Sequence, residues 1–254
     1  MKCAINEIFG PTIQGEGMFS GVPSFFVRFN GCNLRCCFKG GSICDTAYTS
    51  HKPESSFFEY TSAALAEIKS LIDTNPQVSD IVFTGGEPML QQEAIAAIID
   101  ELDQCYDNLC YTVETNGTLP VGESIKGKID LWSISPKLSN STYFAGHNIS
   151  KTLQAAHNSF RLNYKAICTY LDDAPTQLKF VYTDEETEQE IKEWMDGLYR
   201  VKHIVNAPVL IMPEGETAAQ ISKISEKAVQ ACIRNGWRFC DRVHIRIWGN
   251  KRGV

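Results

Sequence analysis

The chain has 254 residues, 43% of them hydrophobic, a size and content that suit one domain (residues 1–254) with a full core. Its net charge of −6, with no long basic run, excludes the electrostatic footprint of a nucleic-acid binder. Met1–Glu7 lacks the apolar run of a secretion signal, and no stretch approaches the roughly 20 apolar residues that span a bilayer, so a cytoplasmic protein without membrane contact is expected, its ten cysteines mostly reduced. In chain order, Ser24–Phe29 reads as a strand. A loop over residues 31–46 follows, carrying Cys32, Cys36, Cys37 and Cys44. Thr61–Ile72 reads as a helix with Leu65, Ile68, Leu71 and Ile72 on one face and Thr61 as N-cap. Ile81–Phe83 is a buried strand, Gln91–Leu102 a helix, and Tyr111–Val113 and Leu131–Ile134 further strands. Residues 138–170, rich in Ser, Asn, Thr and aromatics, break the alternation and read as an insertion with some helix. Strand Gln177–Tyr182, a helix from Glu185 to about Tyr199, strand Val209–Ile211 and helix Thr217–Asn235 follow, and the alternating run Val243–Trp248 closes the chain.

Strand–helix alternation implies an α/β fold with a mostly parallel sheet. About six strands in the main run are too few for a full eight-stranded barrel, so the expected architecture is a partial, open TIM-type barrel. Polar motifs sit just after the apolar strands: Thr84-Gly85-Gly86-Glu87-Pro88, Glu114-Thr115-Asn116-Gly117, Ser135-Pro136-Lys137 and Met212-Pro213-Glu214-Gly215. In parallel α/β folds the carboxyl ends of strands build the site, so four such motifs in series point to one shared mouth.

Three of Cys32, Cys36, Cys37 and Cys44 could hold three corners of an iron–sulfur cube and leave one iron open, since thiolates suit soft iron. All four could instead hold a structural zinc, although adjacent Cys36 and Cys37 tend to point different ways. Cys3, Cys105, Cys110, Cys168, Cys232 and Cys240 are scattered and read as small buried apolar residues. The glycines of Gly85-Gly86-Glu87-Pro88 let backbone approach a ligand closely, and a carboxylate at a strand end can hold an ammonium group. As a plain strand-to-helix turn, the same segment would place Pro88 near helix N1.

A cysteine triplet followed by Gly-Gly-Glu-Pro resembles the radical S-adenosylmethionine superfamily. The segments Asn6–Gly17, Arg28, Asn30–Leu34, Cys44–Thr46, Thr84–Pro88, Glu114–Gly117, Ser135–Lys137 and Trp248–Val254 together resemble the 7-carboxy-7-deazaguanine synthase family from residue 5 to the chain end, most weakly over 138–176. The resemblance implies a [4Fe-4S] cluster, S-adenosylmethionine and Mg2+ as cofactors. It implies 6-carboxy-5,6,7,8-tetrahydropterin as substrate and ring contraction to 7-carboxy-7-deazaguanine, with loss of ammonia, in queuosine-type deazapurine biosynthesis. A flavodoxin- or ferredoxin-type reductant, a homodimer and carbon–nitrogen lyase chemistry are implied with it.

Position by position, the resemblance gives Cys32, Cys36 and Cys44 to the cluster and Thr46 to magnesium. It gives Gly85, Gly86, Glu87, Ser135, Pro136 and Lys137 to S-adenosylmethionine, with Phe38 and Ile43 beside the adenine. Ile13, Gln14, Gly15 and Thr84 fall to the pterin, and Gln14, Glu16 and Arg28 to catalysis. Arg28 can take a carboxylate bidentately, and it lies inside an apolar strand next to the cysteine loop. His244 and the terminal residues would close the pocket. The chain departs from the usual Cys-x3-Cys-x2-Cys spacing: seven residues separate Cys36 from Cys44, and Ile43 stands where an aromatic residue is common. Cys37 therefore competes with Cys36, which is favoured because Asn33-Leu34-Arg35 matches the usual intervening tripeptide. The competing activities are hydrogen abstraction from a glycine of a partner protein, and a non-catalytic zinc or cluster module.

Overall fold

The parallel run anticipated from sequence begins at β2 (Pro23–Phe29) and continues through β4 (Asp80–Gly85), β5 (Cys110–Thr115), β6 (Leu131–Ile134), β7 (Thr176–Tyr182), β8 (Val209–Pro213) and β9 (Arg238–Phe239) in a computed structural model. The structure describes residues 1–39 and 42–254, so Gly40 and Gly41 of the cysteine loop at 31–46 lie outside the described residues. Two strands precede this order in space. β1 (Lys2–Ile13) pairs antiparallel with β2 on one side and with β3 (Phe58–Tyr60) on the other. The described strands form one nine-stranded sheet in the order β3-β1-β2-β4-β5-β6-β7-β8-β9. Its edges, β3 and β9, do not pair with each other, so the barrel is partial and open.

The two-residue period of the strands sorts the side chains. Phe25, Val27 and Phe29 of β2, Ile81 and Phe83 of β4, Val113 of β5, Trp132 and Ile134 of β6, and Leu178 and Phe180 of β7 enter the main core. Each large side chain so buried stabilises the fold by about 1.5–3 kcal/mol. A single turn, α1 (Ala47–Ser50), follows the cysteine loop; outside the strands pack α2 (Thr61–Thr74), α3 (Gln92–Asp103), α6 (Glu185–Val201) and α7 (Ala218–Asn235), through residues such as Ile68, Ile99, Trp194 and Ala228. The alternate positions, among them Arg28, Thr84, Glu114, Ser133 and Lys179, face the inside of the barrel.

Residues 138–170 comprise a 3-10 turn at Ser139–Ser141, α4 (Lys151–Phe160) and the start of α5 (Tyr164–Asp173). α5 buries Ala166, Ile167 and Tyr170 and fills the place of the crossover helix between β6 and β7. α4 is the true addition, and His157 is its one buried residue.

Three local expectations change. Thr61 is the first residue of α2 rather than its N-cap; Tyr60 holds that position, and the Thr61 hydroxyl accepts from the Met1 amine at 3.2 Å. Val243–Trp248 is a short helix, α8, although its alternation suggests a strand. β9 already occupies the sheet edge beside β8, and the run lies across the barrel mouth, with the Val243 N–H donating to the Gly15 carbonyl at 2.9 Å. Of the scattered cysteines, Cys232 and Cys240 are buried, Cys3, Cys110 and Cys168 are half-buried, and Cys105 is exposed.

Candidate active site

The carboxyl ends of the parallel strands, the cysteine loop, the β1–β2 loop and the chain end enclose one cavity of about 550 Å³. The anticipated Ile13, Gln14, Gly15, Glu16, Arg28, Cys32, Cys36, Phe38, Ile43, Cys44, Thr46, Thr84, Gly85, Gly86, Ser135, Lys137 and His244 line it, with the terminal residues. Glu87, Pro136 and Cys37 do not.

Three thiols thus share one space. Burial, then the Glu87 charge, pushes the Cys32 thiol up to about 12, while burial raises Cys36 well above the ordinary thiol value and also raises Cys44. Such thiols ionise only when metal stabilises the thiolates. Among the described residues no three Cys, His, Asp or Glu side chains converge tightly enough to enclose a single ion. A zinc ion needs four ligands within about 2.3 Å. Cys32, Cys36 and Cys44 line one cavity, and thiolates are the usual ligands of iron–sulfur clusters. Cys37 is turned away and fully buried; its N–H donates to the Ser141 carbonyl at 2.9 Å and its carbonyl accepts from Tyr143 N–H at 2.9 Å. Thr46 Oγ1 lies 3.3 Å from Cys44 Sγ and 3.4 Å from the Gly85 carbonyl. It offers the cavity a hard oxygen of the kind magnesium accepts.

The turn after β4 is built by close backbone approach. Gly85 has φ +132°, and a side chain on it would strike the backbone of Phe29; one on Gly86 would strike the Gly31 carbonyl. Glu87 holds the turn from beneath. Its carboxylate accepts from Thr115 Oγ1 at 2.6 Å, Asn116 N–H at 2.7 Å and Met89 N–H at 3.1 Å, with no exposure. Burial raises its pKa, and those three donors oppose the rise. Its side chain therefore positions the turn, and the turn's glycine backbone faces the cavity. Lys137 Nζ donates to Ser135 Oγ at 2.7 Å on the same wall.

The opposite wall carries charge. Arg28 Nε donates to Glu7 at 2.7 Å. No other hydrogen bond from Arg28 occurs among the described residues, which leaves its terminal nitrogens for a ligand. Gln14 is 6% exposed, and its Nε2 is buried without a partner. A buried amide left unpaired is costly, so the site is shaped for an acceptor.

Glu16 lies between Lys179 Nζ at 2.5 Å and Arg242 Nε at 2.8 Å, with His244 Nε2 at 4.0 Å. Arg242 also donates to Asp45 at 2.6 Å, Lys179 reaches Glu114 at 3.4 Å, and Glu114 accepts from Thr84 Oγ1 at 2.8 Å. Burial alone would raise Glu16, but Lys179, Arg242 and His244 outweigh it and hold the carboxyl well below its usual range. Lys179 and Arg242 went unrecognised in the sequence. The signal for Lys179 was the one used for Arg28: a cation at the inward register of an apolar strand, between Leu178 and Phe180. Arg242 precedes the alternating run that forms α8 and carries no such signal.

Two outcomes follow. Lys179→Met leaves Glu16 and Glu114 short of a buried counter-charge and should cost about 3 kcal/mol in urea unfolding of the apoprotein; a loss no greater than an exposed pair's, about 1 kcal/mol or less, would contradict the network. Because Glu16 has a lower pKa folded than unfolded, its ion pairs stabilise the fold above about pH 4.3 and lose that contribution as the pH falls through the folded value. Glu16→Gln should therefore flatten the acid-side decline of stability; parallel declines would show that Glu16 does not drive it.

The chain end closes the mouth. Residues 250–254 line the cavity, and the Arg252 guanidinium lies 3.8 Å above the Tyr48 ring and donates to Glu7 at 2.8 Å and Glu54 at 3.0 Å.

The family model described as a 4Fe-4S single cluster domain matches residues 13–143. The 7-carboxy-7-deazaguanine synthase of Halobacterium salinarum is 33% identical, across 97% of this chain and 90% of that protein. That of Rhodopirellula baltica is 34% identical across 95% and 85%, and that of Bacillus subtilis 29% across 98% and 97%. The crystal structure of QueE from Escherichia coli superposes with a TM-score of 0.62 at 23% identity, covering 96% of this chain and 95% of that one, and supports the open-barrel fold. On the length and identity of these matches, the chain belongs to the 7-carboxy-7-deazaguanine synthase family.

Proposed function

We propose that the chain converts 6-carboxy-5,6,7,8-tetrahydropterin to 7-carboxy-7-deazaguanine, as a carbon–nitrogen lyase that releases ammonia. The observation that carries this reading is one cavity lined by three thiols, a glycine turn, and the Gln14–Glu16 loop with Arg28. The family's cofactors are a [4Fe-4S] cluster and S-adenosylmethionine; bound in this cavity they would supply radical hydrogen-abstraction chemistry for the pterin. Cys32, Cys36 and Cys44 would hold the cluster, and Thr46 a magnesium ion. Gly85, Gly86, Ser135 and Lys137 would bind S-adenosylmethionine, with Phe38 and Ile43 beside its adenine.

Arg28 would take the substrate carboxylate in a two-pronged contact. Gln14 Nε2 would donate to the pterin edge, and Ile13, Gly15 and Thr84 would shape its pocket. Glu16, kept ionised by Lys179 and Arg242, accepts from pterin N–H groups and holds the ring in register while the skeleton rearranges. Hydrogen abstraction from a partner protein's glycine has no need of this carboxylate-binding wall. A small acidic one-electron donor of flavodoxin or ferredoxin type and a homodimer complete the proposal. Among the described residues no helix is long and apolar enough to cross a membrane.

Anaerobic incubation of the reconstituted protein with carboxytetrahydropterin, S-adenosylmethionine, Mg2+ and reductant should yield the deazapurine by mass. A full cluster that yields none would refute the assignment.

A further inference from the structure

We propose that His157, carried on α4, is a positioning residue that fixes the Cys36 corner of the cluster site. The inference rests on the reading of Cys32, Cys36 and Cys44 as cluster ligands. His157 is fully buried, and it is the one buried residue of its helix. Its Nδ1 accepts from the Arg35 N–H at 3.0 Å, and its Nε2 lies 3.1 Å from Ser141 Oγ.

The neighbours fix the tautomer. A backbone N–H can only donate, so Nδ1 carries no proton. Ser141 Oγ spends its single proton on the Leu138 carbonyl at 2.6 Å, so it must accept from Nε2–H. A neutral ring of defined orientation therefore ties the Leu34–Arg35 peptide, one residue ahead of Cys36, to the 3-10 turn. The same turn holds the peptide just after it, because the Ser141 carbonyl accepts from Cys37 N–H at 2.9 Å. The Cys36 carbonyl is held by Cys44 N–H at 3.2 Å and His51 Nε2 at 3.1 Å. Phe144 packs edge-on against the His157 ring at 5.5 Å between centroids.

The segment between β6 and α5 thus holds the chain on both sides of one ligand, at the Arg35 N–H before it and the Cys37 N–H after it. A wide Cys36–Cys44 loop would otherwise leave that thiol free to swing, and outer partners of metal ligands are commonly worth between about ten- and a hundredfold in metal retention.

The test is the rate at which a chelator strips iron from anaerobically reconstituted protein, with electron paramagnetic resonance of the reduced cluster alongside. His157→Phe keeps the ring packing and removes the acceptor, and it should lose iron about ten- to a hundredfold faster than wild type with a broadened signal. His157→Asn places Oδ1 where Nδ1 was but gives up the bond to Ser141, so its rate should fall between those of wild type and His157→Phe. Equal rates for wild type and His157→Phe would overturn the proposal, as would equally fast loss from both variants. Should thermal melting show His157→Phe unfolded, Ser141→Ala frees Nε2 while keeping the carbonyl bond to Cys37. Faster iron loss there supports the clamp, and an unchanged rate overturns it. Wild type that holds its cluster but makes no deazapurine would sink the functional reading without altering this comparison.

Discussion

Cys36→Ala should take up almost no stable [4Fe-4S] cluster and make no product, whereas Cys37→Ala should keep both. Cys36 lines the cavity with Cys32 and Cys44; Cys37 is sealed behind the loop. Rotating Cys37 inward would break its two backbone bonds to Ser141 and Tyr143. Each such bond is worth about 1 kcal/mol, and each left unmade in the interior costs about 1–3 kcal/mol. A swap of ligand is therefore disfavoured even when Cys36 is absent. Iron and sulfide analysis with an anaerobic visible spectrum decides it. Loss of the cluster in Cys37→Ala, with retention in Cys36→Ala, would reverse the assignment. Cys37→Ala will lower stability modestly, since a buried sulfur is replaced by a small void, so its melting temperature should fall while iron content holds.

Arg28→Lys should lower kcat/KM by about ten- to a hundredfold, in line with the roughly 1.5–3 kcal/mol that a hydrogen bond to a charged group contributes. Lysine keeps the charge and loses the planar fork that grips a carboxylate at two points. It also cannot hold Glu7 in the geometry now made by Arg28 Nε at 2.7 Å. The cluster should be built normally, because Arg28 touches no cysteine in the hydrogen-bond network. S-adenosylmethionine cleavage without product would then rise relative to turnover, since the substrate is held loosely in front of the radical source. Steady-state kinetics with cluster-matched protein measures this, and a wild-type kcat/KM would remove Arg28 from the substrate site.

The parallel core was legible because its strands are short apolar runs ending in polar motifs, and its helices have clean apolar stripes. Leu131–Ile134 has the same bounds in sequence and structure. β1 escaped notice because Glu7, Gly10 and Pro11 interrupt its apolar pattern, and its antiparallel pairing with β2 and β3 does not depend on a buried stripe. Val243–Trp248 shows the limit of periodicity in six residues, where position at the barrel mouth decides over alternation.

The site was legible as a set of segments but not as a network. Arg28 and Gln14 stood out by type and place. The ion pairs of Glu16 with Lys179 and Arg242 join residues more than 160 positions apart. No local pattern announces such a pairing. Glu87 shows the opposite case: its motif stands at the end of β4, yet three buried donors turn its carboxylate into the turn's own support.

The central claim is that a small carboxylated pterin, held by Arg28 and Gln14, sits beside the cluster in this cavity. It is tested most directly by anaerobic turnover of an equimolar mixture of 6-carboxy-5,6,7,8-tetrahydropterin and the same pterin without its carboxylate, with products resolved by mass. The account predicts 7-carboxy-7-deazaguanine from the first and no ring-contracted product from the second. Equal conversion of both, or no deazapurine from a fully reconstituted cluster, would contradict it.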